Sequence, residues 1–286
     1  MDRPGGRLFV VATPIGNLGD VTFRAIEILR SVPLVAAEDT RLTRRLFARY
    51  QIETSLVSYH ARSGPGREAE LLDHLRSGRD LALVTDAGTP LISDPGGGLA
   101  SAWAAERGTI VPVPGASAVL AALVASGLAA SRWSFEGFLP RSGRERRQRL
   151  ARIAADDRAC VVFEAPGRVA ATLADLAAAA GEDRRVAVCR ELTKLHEEVV
   201  RGPVREMARA AAGGEMTMRG EFVLVLEAVT AGHAAAGKNA AATELTMTQA
   251  RAEVAGLIAA GMKRSEAVRQ VAAASGLDRR ELYRSS

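Results

Sequence analysis

The stretch LVTDAGTPLISDPG, residues 83–96, begins like a buried strand and then stays irregular to its end. Apolar Leu83 and Val84 are followed by Asp, Gly and Pro, the residues that turns use most. In a sheet of alternating strands and helices, ligands bind beyond the carboxyl ends of the strands. Such a long irregular segment at a strand end therefore predicts a binding loop.

Strand-like and helix-like segments alternate on both sides of this loop. The strands of the N-terminal half read RLFVVAT, PLVAAED, DLALVTD and TIVPVPG. The helices read TFRAIEILRSV, AELLDHLRSG, GGLASAWAAERG and ASAVLAALVASG. This alternation predicts a mainly parallel sheet covered by helices. The four strand ends carry the turn-rich segments ATPIGN, AEDT, TDAGTPLISDPG and VPGASA, which we expect to form one ligand-binding rim.

The chain is long enough for two domains and a small module. We expect an N-terminal α/β domain over residues 1–131 and a second α/β domain over residues 132–229, which closes with the strand GEFVLVLEAV. Residues 230–243, TAGHAAAGKNAAAT, predict a flexible linker. Residues 244–286 predict a helical module whose spacing fits a helix-turn-helix or a plain helical hairpin.

The positions of cysteines and histidines, the apolar runs and the absence of two nucleotide-binding motifs narrow the possible classes of protein and of binding site. Cys160 and Cys189 lie in apolar, strand-like contexts and predict buried thiols, and the histidines have no ligand spacing, so we expect no metal site. The apolar run Leu8–Ala12 is too short for a signal peptide, and no run is long enough to span a membrane. We expect a cytoplasmic protein with no membrane partner. The sequence has neither a P-loop nor a G-x-G-x-x-G motif after the first strand, which disfavours nucleoside triphosphate and NAD sites.

Positive charge is concentrated in one segment. RSGRERRQRLAR, residues 141–152, holds six Arg and one Glu, a surplus of +5 that equals the net charge of the whole chain. Arginine favours bidentate contacts with phosphate. Two interpretations stay open: a helix that contacts RNA or another polyanion, and a solvated helix face. The candidate RNA-binding residues are Arg141, Arg144, Arg146, Arg147 and Arg149.

Six ordered motifs carry a family resemblance: VVATPIGNLGDVTFRAIEILRSVPLVAAEDTR, TDAGTPLISDPG, PGASA, FEGFLP, FEAPGRV and RELTKLHEE. From about Arg7 to Val229 the chain resembles the tetrapyrrole-methylase superfamily, and more closely its ribosomal branch. The resemblance implies an α/β fold of two tetrapyrrole-methylase domains with the cofactor cleft between them. It also implies a homodimeric methyltransferase that uses S-adenosylmethionine. Its expected target is the 2'-hydroxyl of a cytidine in the decoding region of 16S rRNA, within the 30S small ribosomal subunit.

The same resemblance assigns cofactor-binding residues. From the first domain they are Thr13, Pro14, Gly16, Asp86, Ala87, Gly88, Thr89, Ser93, Gly115, Ser117 and Ala118. From the second domain, the residues that would close the cleft are Phe138, Leu139, Glu164, Ala165 and Pro166. One departure is Gly167, which stands where the family pattern leads us to expect His, so we assign position 167 no ligand role.

The sequence does not identify a general base for a ribose hydroxyl. Carboxylates or a lysine near the cleft are candidates: Glu38, Asp39, Glu191, Lys194 and Glu197. Ion pairs at a domain interface explain the same residues equally well. Two other functions stay open: methylation of a small tetrapyrrole or corrin, and RNA binding without catalysis. The arginine run favours RNA over a small molecule, and an intact DAGTP loop argues against a non-enzymatic protein.

Overall fold

Five parallel strands form the first sheet of the structure, a computed structural model that describes residues 5–94, 96–128, 131–229, 247–259, 262–275 and 283. The strands are β1 (Arg7–Val11), β2 (Leu34–Ala37), β3 (Ser55–Ser58), β4 (Leu81–Val84) and β5 (Thr109–Val113). Their order across the sheet is β3-β2-β4-β1-β5. The carboxyl ends of all five strands therefore meet at one edge, as the sequence predicted for four of them.

Helices cover both faces of this sheet because its strands are apolar on both sides. In β1, Phe9 and Val11 join the core on one face, while Leu8 and Val10 join the core on the other. The first core includes residues of α1 (Phe23–Ser31) and α2 (Thr40–Tyr50). The second core includes residues of α3 (Pro65–Arg76) and α4 (Gly97–Ala105).

The second sheet is mixed and contains the strands β6 (Trp133–Phe138), β7 (Ala159–Glu164), β8 (Arg185–Arg190), β9 (Glu198–Pro203) and β10 (Phe222–Leu226). Its order is β6-β7-β10-β8-β9, in which only the β6–β7 pair is parallel. The closing strand β10 lies in the centre. One face is covered by α6 (Gly143–Ala155), α7 (Val169–Ala180) and α8 (Val204–Gly213).

Helix α5 (Ala118–Ser126) covers the other face of the second sheet, although it follows the last strand of the first. Its buried Val119 and Ala122 form one apolar cluster with Val161, Ala187 and Val223 of the second sheet. Both sheets accordingly belong to one compact unit, Met1–Ala228. The two-domain α/β fold expected from the sequence is confirmed.

Three elements were absent from the sequence interpretation: α2, β3 and β9. Strand β8 ends at Arg190, before the irregular residues that lead to β9. The thiols of Cys160 and Cys189 are free and buried, as predicted, and burial raises the pKa of Cys160 to about 12.

The C-terminal residues form a separate unit, Val229–Ser286. Its described helices are α9 (Met247–Ala259) and α10 (Arg264–Ser275). They share a small core of Ala250, Val254, Ala267, Val268 and Val271. This confirms a helical module, whereas the predicted linker 230–243 lies outside the described residues. Within the described ranges, no helix is both long and apolar enough to cross a bilayer.

Arg184 is a buried positive charge that the second sheet requires. The side chain is 1% exposed, and its guanidinium donates hydrogen bonds to the carbonyl oxygens of Ile153, Ala154 and Glu227 at 2.7–3.1 Å. Two of these carbonyls belong to the last turn of α6, where helical oxygens lack intrahelical donors. Burial lowers the pKa of Arg184, but the bonds to carbonyl oxygens satisfy its donors.

We therefore expect Arg184→Met to lower the free energy of unfolding by about 3 kcal/mol, because it leaves several buried carbonyl oxygens without donors. Arg185→Met is the matched control, because the neighbouring Arg185 is exposed, and it should change stability by less than about 0.5 kcal/mol. Urea unfolding followed by circular dichroism measures both values. Equal effects of the two substitutions would contradict the structural role of Arg184.

Candidate functional site

A cleft of about 350 Å³ opens between the strand-end loops of the first sheet and the second sheet. This volume falls in the usual range for small-molecule sites, about 300–1,000 Å³. The first domain contributes Ile15, Ala87, Thr89, Ile92, Ser93, Asp94, Ser117, Ala118 and Val119. The second domain contributes Phe138, Phe163, Glu164, Ala165, Pro166, Gly220, Glu221, Phe222 and Val223.

Hydrogen bonds hold the loop after β4 in one closed conformation. At its base, the Thr85 hydroxyl donates a hydrogen bond of 3.0 Å to Oδ2 of Asp94, nine residues along the chain. At its middle, Gly88 and Thr13 exchange two backbone hydrogen bonds of 2.9 and 3.0 Å, which tie the loop to the one after β1. The irregular stretch that follows Val84 is thus a fixed loop rather than a long turn.

Backbone strain marks the second half of this loop. Leu91 and Ser93 have φ values of 75° and 67°, a left-handed conformation that side chains with a Cβ rarely adopt. Such residues tend to occur where function fixes the backbone. Ser93 reaches across to the second domain, where its Oγ would lie 3.1 Å from a Cβ built on Gly137. A glycine at position 137, with φ of 60°, lets β6 approach the loop this closely.

Nine of the residues expected to bind the cofactor line the cleft: Ala87, Thr89, Ser93, Ser117, Ala118, Phe138, Glu164, Ala165 and Pro166. Six others lie in the loops that support this lining: Thr13, Pro14, Gly16, Asp86, Gly88 and Gly115. Leu139 lies elsewhere, because it is 2% exposed and belongs to the core under α6 and α7. A cofactor contact by the Leu139 side chain is therefore not available in this structure.

Glu164 lines the cleft through its backbone. Its side chain is 0% exposed and forms an ion pair of 3.1 Å with Arg168. Its carboxylate also accepts hydrogen bonds from the Thr172 hydroxyl at 2.6 Å and from the Ala165 amide at 2.8 Å. The carboxylate is thus fully occupied within the protein and fixes the turn Ala165–Pro166 at the cleft wall.

Apart from Phe138, the apolar part of the cleft was missed by the sequence interpretation. Phe138 and Phe163 meet edge to face with ring centroids 5.7 Å apart, and Phe138 remains 53% exposed. Ile15, Val119 and Phe222 add aliphatic and aromatic surface. Exposed aromatic and aliphatic walls suit a flat heterocycle such as adenine, and backbone amides of the loops suit its polar edge. Apolar residues next to strand ends gave no signal that separates cleft from core.

The candidate bases after β2 form a carboxylate cluster beside the cleft. The Asp86 amide donates to Glu38 Oε2 at 3.3 Å, and the Asp39 amide donates to Asp86 Oδ1 at 2.9 Å. Burial, together with the neighbouring carboxylates, raises the pKa values of Glu38 and Asp86. Asp39 caps α2 and pairs with Arg41, whose hydrogen bond lowers the pKa of Asp39 to about 2.

The candidate bases in RELTKLHEE form ion pairs and hydrogen bonds with neighbouring groups. Lys194 Nζ lies 2.8 Å from Glu191 Oε1 and 3.1 Å from Glu221 Oε2, while the Thr193 amide donates to Glu197 at 2.6 Å. Burial opposes the charge of Lys194, but the two carboxylates outweigh it and raise its pKa. All five candidate bases are described residues, and none of them lines the cleft.

The arginine run forms α6, and its members have different environments. Arg141, Arg144 and Arg147 are exposed, as an RNA contact requires. Arg146 is 7% exposed, with its guanidinium bound to Asp175 at 2.7 Å, to Thr172 and to the Pro140 carbonyl. Arg149 is half-buried and pairs with Glu136 at 3.4 Å. The expectation that Arg146 contacts RNA is corrected: it holds the Pro140 turn against α7.

A second basic helix face was missed. The exposed arginines of α2 share one side of the helix through their spacing: Arg41, Arg44, Arg45 and Arg49. Among the described residues, Arg44 and Arg45 form no ion pair, and the same holds for Arg144 and Arg147 of α6. Helix α2 starts beside Asp86, and α6 starts five residues after Phe138, so both helices that carry the basic faces begin near the cleft.

Comparisons with known proteins agree with this architecture. The family model described as Tetrapyrrole (Corrin/Porphyrin) Methylases matches residues 7–208. A protein of Synechocystis sp. named ribosomal RNA small subunit methyltransferase I is 46% identical and covers 98% of this chain and 97% of its own. The Bacillus subtilis protein of the same name is 41% identical over 97% of this chain and 93% of its own.

Solved structures support the fold at lower identity. A cobalt precorrin-4 methyltransferase covers 77% of this chain and 94% of its own with a TM-score of 0.61 and 18% identity. Uroporphyrin-III C-methyltransferase from Thermus thermophilus, solved with S-adenosyl homocysteine, covers 78% of this chain and 97% of its own with a TM-score of 0.58 and 19% identity. At this identity the likeness shows the fold alone.

Gly88 offers a test of the loop as part of a cofactor site. A Cβ at Gly88 would lie 3.4 Å from Cγ2 of the cleft residue Ile15. The larger Gly88→Val should therefore push Ile15 into the cleft and weaken binding of S-adenosylmethionine, the cofactor that the sequence resemblance implies, at least about tenfold. Isothermal titration calorimetry measures this affinity.

Gly78→Val is the matched control. Gly78 has a φ of 82° against 80° for Gly88, so both substitutions carry the same backbone cost of about 1–2 kcal/mol. No atom lies within 4 Å of a Cβ at Gly78, and its variant should keep full affinity. If folded Gly88→Val bound the cofactor as well as Gly78→Val does, the loop would not shape the site.

Proposed function

The chain belongs to the tetrapyrrole (corrin/porphyrin) methylase family, and we propose that its acceptor is the ribose 2'-hydroxyl of a cytidine in the decoding region of 16S rRNA. It is an S-adenosylmethionine-dependent rRNA methyltransferase, in the branch whose members are named ribosomal RNA small subunit methyltransferase I. The proposed substrate form is the 30S small subunit or an assembly intermediate of it.

The cleft supports the cofactor assignment because its two kinds of lining match the two ends of S-adenosylmethionine. Phe138, Phe163 and Ile15 provide apolar surface for the adenine, while the backbone of Ala87 to Thr89 and of Ser117 provides polar groups. We propose that the residues expected from the sequence bind the cofactor, except that the side chains of Leu139 and Glu164 do not contact it. When bound, the cofactor supplies an electrophilic methyl group on a sulfonium, so the protein's task is to orient the acceptor oxygen.

The single observation that favours RNA over a small tetrapyrrole as the substrate is the pair of basic faces on the two helices that start beside the cleft. Arg44, Arg45, Arg144 and Arg147 are exposed, and they form no ion pair within the described part of the chain. Arginines without a carboxylate partner are available for phosphates. A corrin has no repeating phosphate backbone, and a single small substrate needs no second basic surface.

The size of the cleft sets the conformation of the substrate. About 350 Å³ is the size of a site for one small molecule and is far too small for a duplex. The target nucleotide must therefore leave its stack to enter, which favours a flexible single-stranded segment of rRNA.

We propose a cytoplasmic homodimer, since ribosomal subunits are the substrate. The family resemblance implies the dimer, and exposed apolar side chains on α5 support it. Val124 is 85% exposed and Leu120 53% exposed, and both point away from the cluster that α5 shares with the second sheet. Apolar side chains this exposed are often covered by a partner.

The acceptor assignment is tested with labelled S-adenosylmethionine and 30S particles. We expect incorporation into 16S rRNA, and loss of incorporation when the target cytidine lacks its 2'-hydroxyl. Incorporation that survives the deoxy substitution would mean base methylation. Incorporation into a corrin precursor and not into RNA would assign the chain to the metabolic members of its family, and cofactor-independent RNA binding alone would make it a binding protein.

The two basic faces make a separate prediction. The double variants Arg44→Gln/Arg45→Gln and Arg144→Gln/Arg147→Gln should each weaken rRNA binding and reduce its log–log salt slope by about 0.7 per lost phosphate contact. Their affinity for S-adenosylmethionine should not change. Binding measured across a salt series gives the slope.

The control removes two charges elsewhere. Arg205→Gln/Arg209→Gln changes two exposed arginines of α8 and should leave the slope unchanged. If all three double variants reduced affinity equally, only net charge would matter, and neither face would be a binding surface.

A further inference from the structure

Three ionisable residues line the cleft, and only one of them has a carboxylate available for chemistry. Glu164 has a fully buried carboxylate held by Arg168 and Thr172. The side chain of Glu221 is 73% exposed and pairs with Lys194 at 3.1 Å. The remaining carboxylate is Asp94, which sits at the end of the closed loop after β4.

One oxygen of the Asp94 carboxylate accepts a hydrogen bond, and the other has no hydrogen-bond partner among the described residues. Oδ2 accepts the 3.0 Å hydrogen bond from Thr85, a residue that is only 2% exposed and therefore rigidly placed. No described residue donates a hydrogen bond to Oδ1. The strained residue Ser93, next to Asp94, shows that the backbone is forced into this position.

The surroundings of Asp94 favour the protonated form of its carboxyl group. No Lys or Arg among the described residues forms an ion pair with it, and the charged groups that act on it are the carboxylates Glu38 and Asp86, which follow β2 and β4. Burial is the main cause that raises the pKa of Asp94, to about 6, with a further rise from the two carboxylates and an opposing effect of the Thr85 hydrogen bond. A base is most effective when its pKa lies near the working pH.

We propose that Asp94 is the catalytic base of the methyl transfer and accepts the proton of the ribose 2'-hydroxyl on its free oxygen. The inference rests on the proposed function. As the oxygen attacks, the O–H electron pair becomes available to it, the new O–CH₃ bond forms, and the S–CH₃ bond breaks with its pair remaining on sulfur. The proton on Asp94 then leaves to solvent through the open side of the cleft.

Asp94→Asn tests the role with little change of shape, because its amide oxygen can still accept the Thr85 hydrogen bond. We expect kcat to fall at least about 100-fold while the affinity for S-adenosylmethionine stays within twofold. In the wild type, kcat should fall tenfold per pH unit below about pH 6, the pKa of Asp94, and the residual activity of the variant should lack this limb.

A stability measurement gives a readout that does not depend on activity. A folded pKa of about 6, above the ordinary 3.8, means that protonated Asp94 stabilises the fold, and that this contribution is lost as the pH rises from about 4 through 6. Asp94→Asn removes the charge and should remove this decrease, so that above pH 6 the variant is at least as stable as the wild type.

Asp73→Asn is the matched control. Asp73 lies on α3 with its side chain 72% exposed, so the substitution should alter neither kcat nor the change in stability between pH 4 and 6. If the wild type methylates the 2'-oxygen and Asp94→Asn keeps kcat within threefold, Asp94 is not the base. A variant that loses cofactor affinity more than tenfold would make Asp94 a cofactor ligand instead.

The assay separates this inference from the proposed function. A wild-type enzyme that transfers no methyl group to the 2'-oxygen overturns the acceptor assignment and the role of Asp94 together. A wild-type enzyme that does so, with an unaffected Asp94→Asn, overturns only the role of Asp94.

Discussion

The packing of α5 against the second sheet is the constraint on which the cleft depends. The helix follows the last strand of one sheet and buries Val119 and Ala122 in the apolar cluster of the other. Arg201 of β9 fixes its far end by donating to the carbonyl oxygens of Ala125 and Ser126, which lack intrahelical donors. Because Ser117 and Ala118 at its near end line the cleft, the same contact that joins the domains also sets the width of the site.

On this fixed frame, the loop after β4 can hold an unfavourable conformation. Left-handed φ values at Leu91 and Ser93 and a half-buried carboxylate at Asp94 each cost free energy. The cost is offset by local bonds, the Thr85–Asp94 hydrogen bond and the two backbone bonds between Thr13 and Gly88. The loop after β4 thus combines backbone strain with a partly buried charge, while the packing around it is ordinary. This pattern is expected of a site whose residues are placed for chemistry rather than for stability.

Much of the fold and of the site could be predicted from the sequence, and physical reasons explain why other parts could not. Strand β4 and its loop were predictable because apolar residues and turn-formers are local signals. Helix α2 was missed because its arginines obscure a narrow apolar stripe of Leu46 and Phe47, and β3 because it is four residues at a sheet edge. The burial of Arg146 depends on Thr172 and Asp175, which lie 26 and 29 residues away, and no local pattern reveals such a partner.

Positive charges lie on the helices that start beside the cleft, whereas negative charges lie at the strand ends. The exposed Arg44 and Arg144 lie on helices that start beside the cleft, whereas the carboxylates of Glu38, Asp86 and Asp94 cluster at the strand ends. A phosphate would be attracted to the first region and repelled by the second. A nucleotide whose phosphates lie at the basic helices presents its uncharged sugar and base to the acidic interior. This distribution of charge supports the ribose acceptor proposed above, and it acts before any base-specific contact is made.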